Sequence, residues 1–181
     1  MDNQIIKFNM EKFKTIVLFA AMVALTAAGN AQTIASGSID CLTDAGVANI
    51  KIDYSKAAIF GMGETAFAEY EEDWDKDQPA IVMNIVRGIN FHTSQYFSIG
   101  YRLECDLDFN ILVASINQDG SWNCKATVTD KSGNVLCEIT DIVSDSGQGG
   151  TKLRRIKKGA LNTGLSIGMY LKALAKKANK K

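Results

Sequence analysis

From residue 101 the chain alternates strictly. In YRLECDLDFNILVAS, Tyr101, Leu103, Cys105, Leu107, Phe109, Ile111 and Val113 share one face, and Arg102, Glu104, Asp106, Asp108 and Asn110 share the other. A period of two predicts a strand with one wet face. NQDG turns the chain, and SWNCKATVT follows with Trp122, Cys124, Ala126 and Val128 inward. DKSGN then makes a hairpin turn with Gly133 at its left-handed position. VLCEITDIV, with Val135, Cys137 and Ile139 inward, completes a three-stranded antiparallel meander.

Upstream, IDCLTDAGVANIKIDY reads as an irregular lead-in followed by a strand with Ile50, Ile52 and Tyr54 on one face. GMGE breaks it, and Thr65 is expected to cap a short helix, TAFAEYEEDW, with Phe67, Tyr70 and Trp74 three to four residues apart. A second helix is predicted over DQPAIVMNIVRGINF, with Asp77 as cap and Pro79 in the first turn, where proline is tolerated. Its stripe is Ile81, Val82, Ile85, Val86 and Ile89. After SDSGQGG, a long helix from about Thr151 carries Leu153, Ile156, Ala160, Gly164, Ile167, Leu171 and Leu174 on one side. Gly164 and Gly168, four apart, are expected to let this helix lie close against strands. The fold class is α+β: an antiparallel sheet of about four strands, helices on one face, and a long C-terminal helix.

The first 31 residues carry a different pattern. The basic stretch MEKFK leads into the apolar run TIVLFAAMVALTAA and then AGNAQ, the layout of a secretory signal. The run from Thr15 to Ala28 is shorter than the ~20 residues of a spanning helix. Gly29 and Ala31 place cleavage after Ala31, and Met10 is a possible true start. The expected organisation is a signal over 1–31 and a single domain over 32–181 with a basic tail. The first cysteine, Cys41, is too far from the cleavage point to be a lipidation site. The mature chain is expected to be periplasmic or secreted and soluble, without stable membrane insertion.

Charge is segregated. From Gln32 to Gly150 there are 18 acidic and 7 basic residues, a net of −11, whereas Thr151 to Lys181 holds 10 basic residues and no acidic one. The acidic body argues against nucleic acid, whose phosphates it would repel. Two surfaces are expected to bind a protein partner, an unknown envelope or secreted protein. One is the basic start of the last helix, Lys152, Arg154, Arg155, Lys157 and Lys158; the other is the acidic helix region, Glu69, Glu71, Glu72 and Asp73.

The layout, with DKSGNVLCEI in the meander and GGTKLRRIKKGALNTG opening the last helix, resembles small secreted proteins of Gram-negative gut bacteria. More distantly it is similar to the α/β periplasmic domains of the curli secretion channel and to the N-terminal domain of the Tol translocation protein. That resemblance implies a non-enzymatic envelope role in assembly or protein contact, and it brings no catalytic residues with it.

Individual motifs narrow the chemistry. Asp73, Asp75 and Asp77 alternate as in a calcium loop, but position six is Gln78, Pro79 follows, and position twelve is Asn84 rather than glutamate. No metal or cofactor is expected. Four cysteines, Cys41, Cys105, Cys124 and Cys137, allow three disulfide pairings or none, since three of them fall at inward strand positions. His92 is the single histidine, at the end of an apolar helix in NFHTS. GMGE and GQGG are not phosphate loops. The leading reading is therefore a non-enzymatic contact protein: an accessory, assembly or inhibitor/immunity-type factor. The alternative is a small secreted hydrolase using His92 or a carboxylate pair.

Overall fold

A computed structural model describes residues 32–178, and the leader assigned to 1–31 lies outside them. The alternating segments form β5 (Leu107–Ile116), β6 (Trp122–Asp130) and β7 (Val135–Val143), paired antiparallel as the pattern requires. Phe109, Ile111, Val113, Ala126, Val128, Cys137 and Ile139 are buried on one face. Val135 instead lies 55% exposed, because the β6–β7 register shifts between Val128 and Thr129.

The sheet is larger than expected and mixed. Its order is β1-β7-β6-β5-β2-β4, with β3 on the edge of β5, giving seven strands rather than about four. β1 (Thr33–Gly37) adds antiparallel to β7. β2 (Val47–Asp53) runs parallel to both β5 and β4 (Ser98–Tyr101), and β3 (Ala58–Ile59) runs parallel to β5.

The segment read as one strand from Tyr101 is broken at Arg102, which takes φ 59°. Within Arg102–Asp106 the chain passes from one side of β2 to the other. Leu103 is consequently 44% exposed rather than inward. Asn49, buried in β2, holds the crossing: its side-chain oxygen accepts the Leu103 N–H (3.0 Å) and its amide donates to Asp108 (3.1 Å). Hydropathy alternates through the crossing although Arg102, Leu103 and Glu104 are all exposed, so the pattern there reports no strand face.

Helix α1 (Asp40–Ala45) replaces the irregular lead-in and ends on Gly46 at φ 73°, the left-handed stop that glycine permits. α2 (Glu64–Tyr70) starts one residue before Thr65, with Gly63 at the cap. α3 (Trp74–Thr93) begins at Trp74, so Asp77 lies in the first turn and Pro79 beyond it, inside the helix. All five stripe residues of α3 are buried, as are Leu153, Ile156, Ala160, Ile167 and Leu171 of α4 (Lys152–Ala178).

Gly164 and Gly168 of α4 face a helix, not strands. A Cβ on Gly168 would stand 2.6 Å from the Ile89 carbonyl oxygen, one on Gly164 would overlap the Ile85 carbonyl, and one on Gly88 would stand 2.5 Å from the Leu165 nitrogen. Since Ile85 meets Gly164 and Ile89 meets Gly168, α3 and α4 run in the same direction with their backbones in contact. Gly159 does approach the sheet, where a Cβ would meet the Gly120 carbonyl and Trp122.

Candidate interaction surface

The parallel seam places the N-termini of α3 and α4 side by side. The start of α4 opposes its own dipole: Lys152, Arg154, Arg155, Lys157 and Lys158 crowd the positive end, and its first turn contains no acidic residue. The neighbouring α2–α3 corner supplies the compensating charge. Lys157 donates to Asp77 at 2.8 Å, with the two side chains 33% and 22% exposed, so this pair is only partly screened by solvent. Lys152 donates to the Tyr70 hydroxyl at 2.6 Å and lies over its ring, 4.3 Å from the centroid. Asn84 of α3 donates to the Lys157 carbonyl at 3.0 Å.

Two further cations are committed elsewhere within the chain. Lys158 donates to the Gln148 carbonyl at 2.8 Å. Arg155 donates to the Gln118 carbonyl and stacks 5.3 Å from the centre of Phe60. Of the predicted basic set, only Arg154 has no side-chain partner among the described residues.

Glu69, Glu72 and Asp73 are exposed and Glu71 is half-buried. Asp73 pairs with Lys76 at 3.2 Å across solvent-exposed side chains, a weak contact. The two surfaces read separately from the sequence thus form one: an acidic corner, a seam joined by the Lys152–Tyr70 contact and the Asp77–Lys157 ion pair, and Arg154 beside it. Asp73, Asp75 and Asp77 lie at the start of a helix, where alternate residues point roughly 200° apart. That geometry does not converge on a cation, and among the described residues no group of three or more His, Cys, Asp or Glu side chains is placed to hold a metal ion.

Beneath this surface lies an aromatic cluster that the sequence did not signal, because its members come from separate segments. Trp74 packs edge-on against Tyr54 and Phe67, each at 5.2 Å, and Tyr54 reaches Trp122 at 6.0 Å. Phe60 stacks on Phe67 at 5.8 Å. Tyr54, Trp74 and Trp122 are buried, and the Tyr54 hydroxyl and both indole N–H groups have no hydrogen-bond partner among the described residues. Burial, with some help from Glu64, drives the Tyr54 hydroxyl far above its ordinary pKa. Glu64 is itself raised by burial and by Asp53 and Asp75. The Trp74 indole favours the charged form of Glu64 without reaching hydrogen-bond geometry.

His92 sits in the last turn of α3, edge-on to Phe91 at 5.0 Å. It borders an open groove of about 430 Å³ with Val143, Asp145, Ser166 and Met169. Residue types for a Ser-His-Asp arrangement therefore share one depression. They are not joined: the Ser166 hydroxyl accepts from Gln32, and no hydrogen bond links His92 to Ser166 or Asp145. Among the described residues, no helix is long and apolar enough to cross a membrane.

No protein-family model matches the chain, and no curated protein matches it. Among solved structures, the chain is similar to a PelC dodecamer from Paraburkholderia phytofirmans, at 13% identity and TM-score 0.39, over 80% of this chain and 96% of that one. It is also similar to a DUF330 protein from Xanthomonas campestris, at 11% identity and TM-score 0.38, over 82% of this chain and 95% of that one. A likeness this loose bears on neither activity nor assembly.

Proposed function

We propose that the protein is an exported, non-enzymatic envelope factor that works by contact, as an accessory, assembly or inhibitor/immunity-type protein. The reading takes residues 1–31 as a cleaved signal and 32–181 as the working domain. The reading also takes the sequence layout as distantly akin to the curli-channel and Tol N-terminal domains, a kinship that would be in keeping with such a role. The observation that carries the contact reading is the joined surface: an acidic corner with Glu69, Glu72 and Asp73 unburied, set against a basic helix start with Arg154 uncommitted.

A partner of matching polarity would set a basic patch on the corner and an acidic group on Arg154. Rim charges of this kind chiefly steer and orient association. The test is affinity capture from native envelope extract, comparing the wild type with an Arg154→Glu, Glu69→Lys, Glu72→Lys variant. Loss of the captured partner supports the reading. Capture unchanged by the reversal sinks it.

The hydrolase reading has one observation in its favour, the shared groove of His92, Asp145 and Ser166. It lacks a nucleophile bonded to its base and a base bonded to its orienting group, the connections such chemistry uses.

A further inference from the structure

Four thiols permit three pairings, and the fold distinguishes among them. All four are free in this structure. Cys124 is buried in β6, and its thiol is raised to about 12 by burial alone. Cys105 lies in the crossing loop and donates to the Leu107 carbonyl at 3.3 Å.

Cys41 and Cys137 belong to one corner. β1 pairs with β7 so that Gly37 stands opposite Cys137. The next residue, Ser38, donates its N–H to the Leu136 carbonyl at 3.4 Å, and its own carbonyl accepts the Cys41 thiol at 3.3 Å. Cys41 is thus tied through a single residue to the chain neighbour of Cys137. Burial raises the Cys137 thiol to about 11, and the nearness of Cys41 adds to that.

We propose that Cys41 and Cys137 are a disulfide-forming pair that fastens the β1–α1 corner to β7, leaving Cys105 and Cys124 as thiols. Use of this bond in the cell rests on the export reading, since an oxidising compartment preserves it. Cys41, half-buried, is the accessible member. Its thiolate attacks a small disulfide such as oxidised glutathione and displaces one glutathione thiol; the Cys137 thiolate then attacks the Cys41 sulfur and displaces the second. Two protein thiols are oxidised, one disulfide is reduced, and the two protons end on the released glutathione thiols. The corner gains from a staple because β1 is a mostly exposed edge strand whose pairing is interrupted between Ile34 and Ser36. The bond would also enclose most of the domain between its ends, restricting the unfolded chain.

The test uses the full chain, purified reduced, equilibrated with a glutathione redox buffer, alkylated, and mapped by mass spectrometry without reduction. The expected result is one Cys41–Cys137 link, with Cys105 and Cys124 alkylated. The oxidised form should also show a higher urea midpoint than the reduced form, a difference abolished by Cys41→Ser or Cys137→Ser. Four alkylated cysteines, or a link using Cys105 or Cys124, overturn the pairing. A correct link with no rise in midpoint overturns the fastening role. Because the oxidation is done in vitro, its failure leaves the export reading standing; that reading is tested separately by fractionating cells for the protein.

Discussion

Lys157 reaches Asp77 across the seam between two parallel helices, at 2.8 Å. The contact gives one reason for a run as acidic as EYEEDWDKDQP at the end of α2 and the start of α3: Asp77, within it, meets the positively charged start of α4. Removing either partner leaves a half-buried charge without compensation. Asp77→Asn or Lys157→Met should each cost about 1–2 kcal/mol, between exposed and fully buried pairs. Urea unfolding of the two single variants and the double variant measures the coupling; strictly additive losses would show that the pair contributes nothing.

The helix seam makes a second prediction. Gly164→Ala adds a methyl group where the Ile85 carbonyl already lies. A gain of about 1 kcal/mol in helix propensity is set against overpacking of about 1–3 kcal/mol or more, so the net effect is destabilising. Thermal unfolding should shift downward for Gly164→Ala and Gly168→Ala, whereas an unchanged midpoint would mean the helices do not touch there.

Asn49 makes a third. Asn49→Ala removes the acceptor for the Leu103 N–H and the donor to Asp108, at a cost of about 1–3 kcal/mol for the stranded groups. Hydrogen exchange read residue by residue should quicken at Leu103 first. Uniform quickening across the sheet would indicate that Asn49 supports the fold at large rather than the crossing.

Acid should weaken the domain through identifiable carboxylates. Partial burial works to raise Asp108, but hydrogen bonds from Lys51 and Asn49 outweigh it and hold its pKa below the usual range. Asp119 is lowered by its backbone and side-chain bonds with Ser121. A group whose folded pKa is depressed contributes stability above the unfolded value of about 3.9 and loses it as pH falls through the folded value. Unfolding free energy should therefore drop below about pH 4, and Asp108→Asn should flatten part of that drop. A pH dependence unchanged in Asp108→Asn would contradict the assignment.

What was legible in the chain follows from the range of each interaction. The β5–β7 meander and the stripes of α3 and α4 are written in local periodicity, because each buries one face against the same core. Parallel pairing of β2 with β4 and β5 was not legible: β4 is four residues long, and nothing nearby in sequence records its partner. The break at Arg102 was hidden because alternation continued through it. The spacing of Gly164 and Gly168 revealed a close approach but not that α3 was the neighbour. The residues of the two charge sets are exposed or half-buried, and their junction through Lys157 and Asp77 links residues 80 positions apart, beyond any local pattern. Together with the contacts of Lys152, Arg155 and Lys158, it leaves Arg154 as the uncommitted member of the basic set among the described residues.

The central claim is contact through the corner where the α2–α3 acids meet the start of α4, and parallel capture of three proteins tests it most directly. These are the wild type, the Arg154→Glu, Glu69→Lys, Glu72→Lys variant, and a His92→Ala, Ser166→Ala variant, each confirmed folded by circular dichroism. Partner recovery should fall at least about tenfold for the charge-reversed protein and stay at the wild-type level for the groove variant. Recovery insensitive to charge reversal but lost with His92 and Ser166 would contradict the account and place function in the groove.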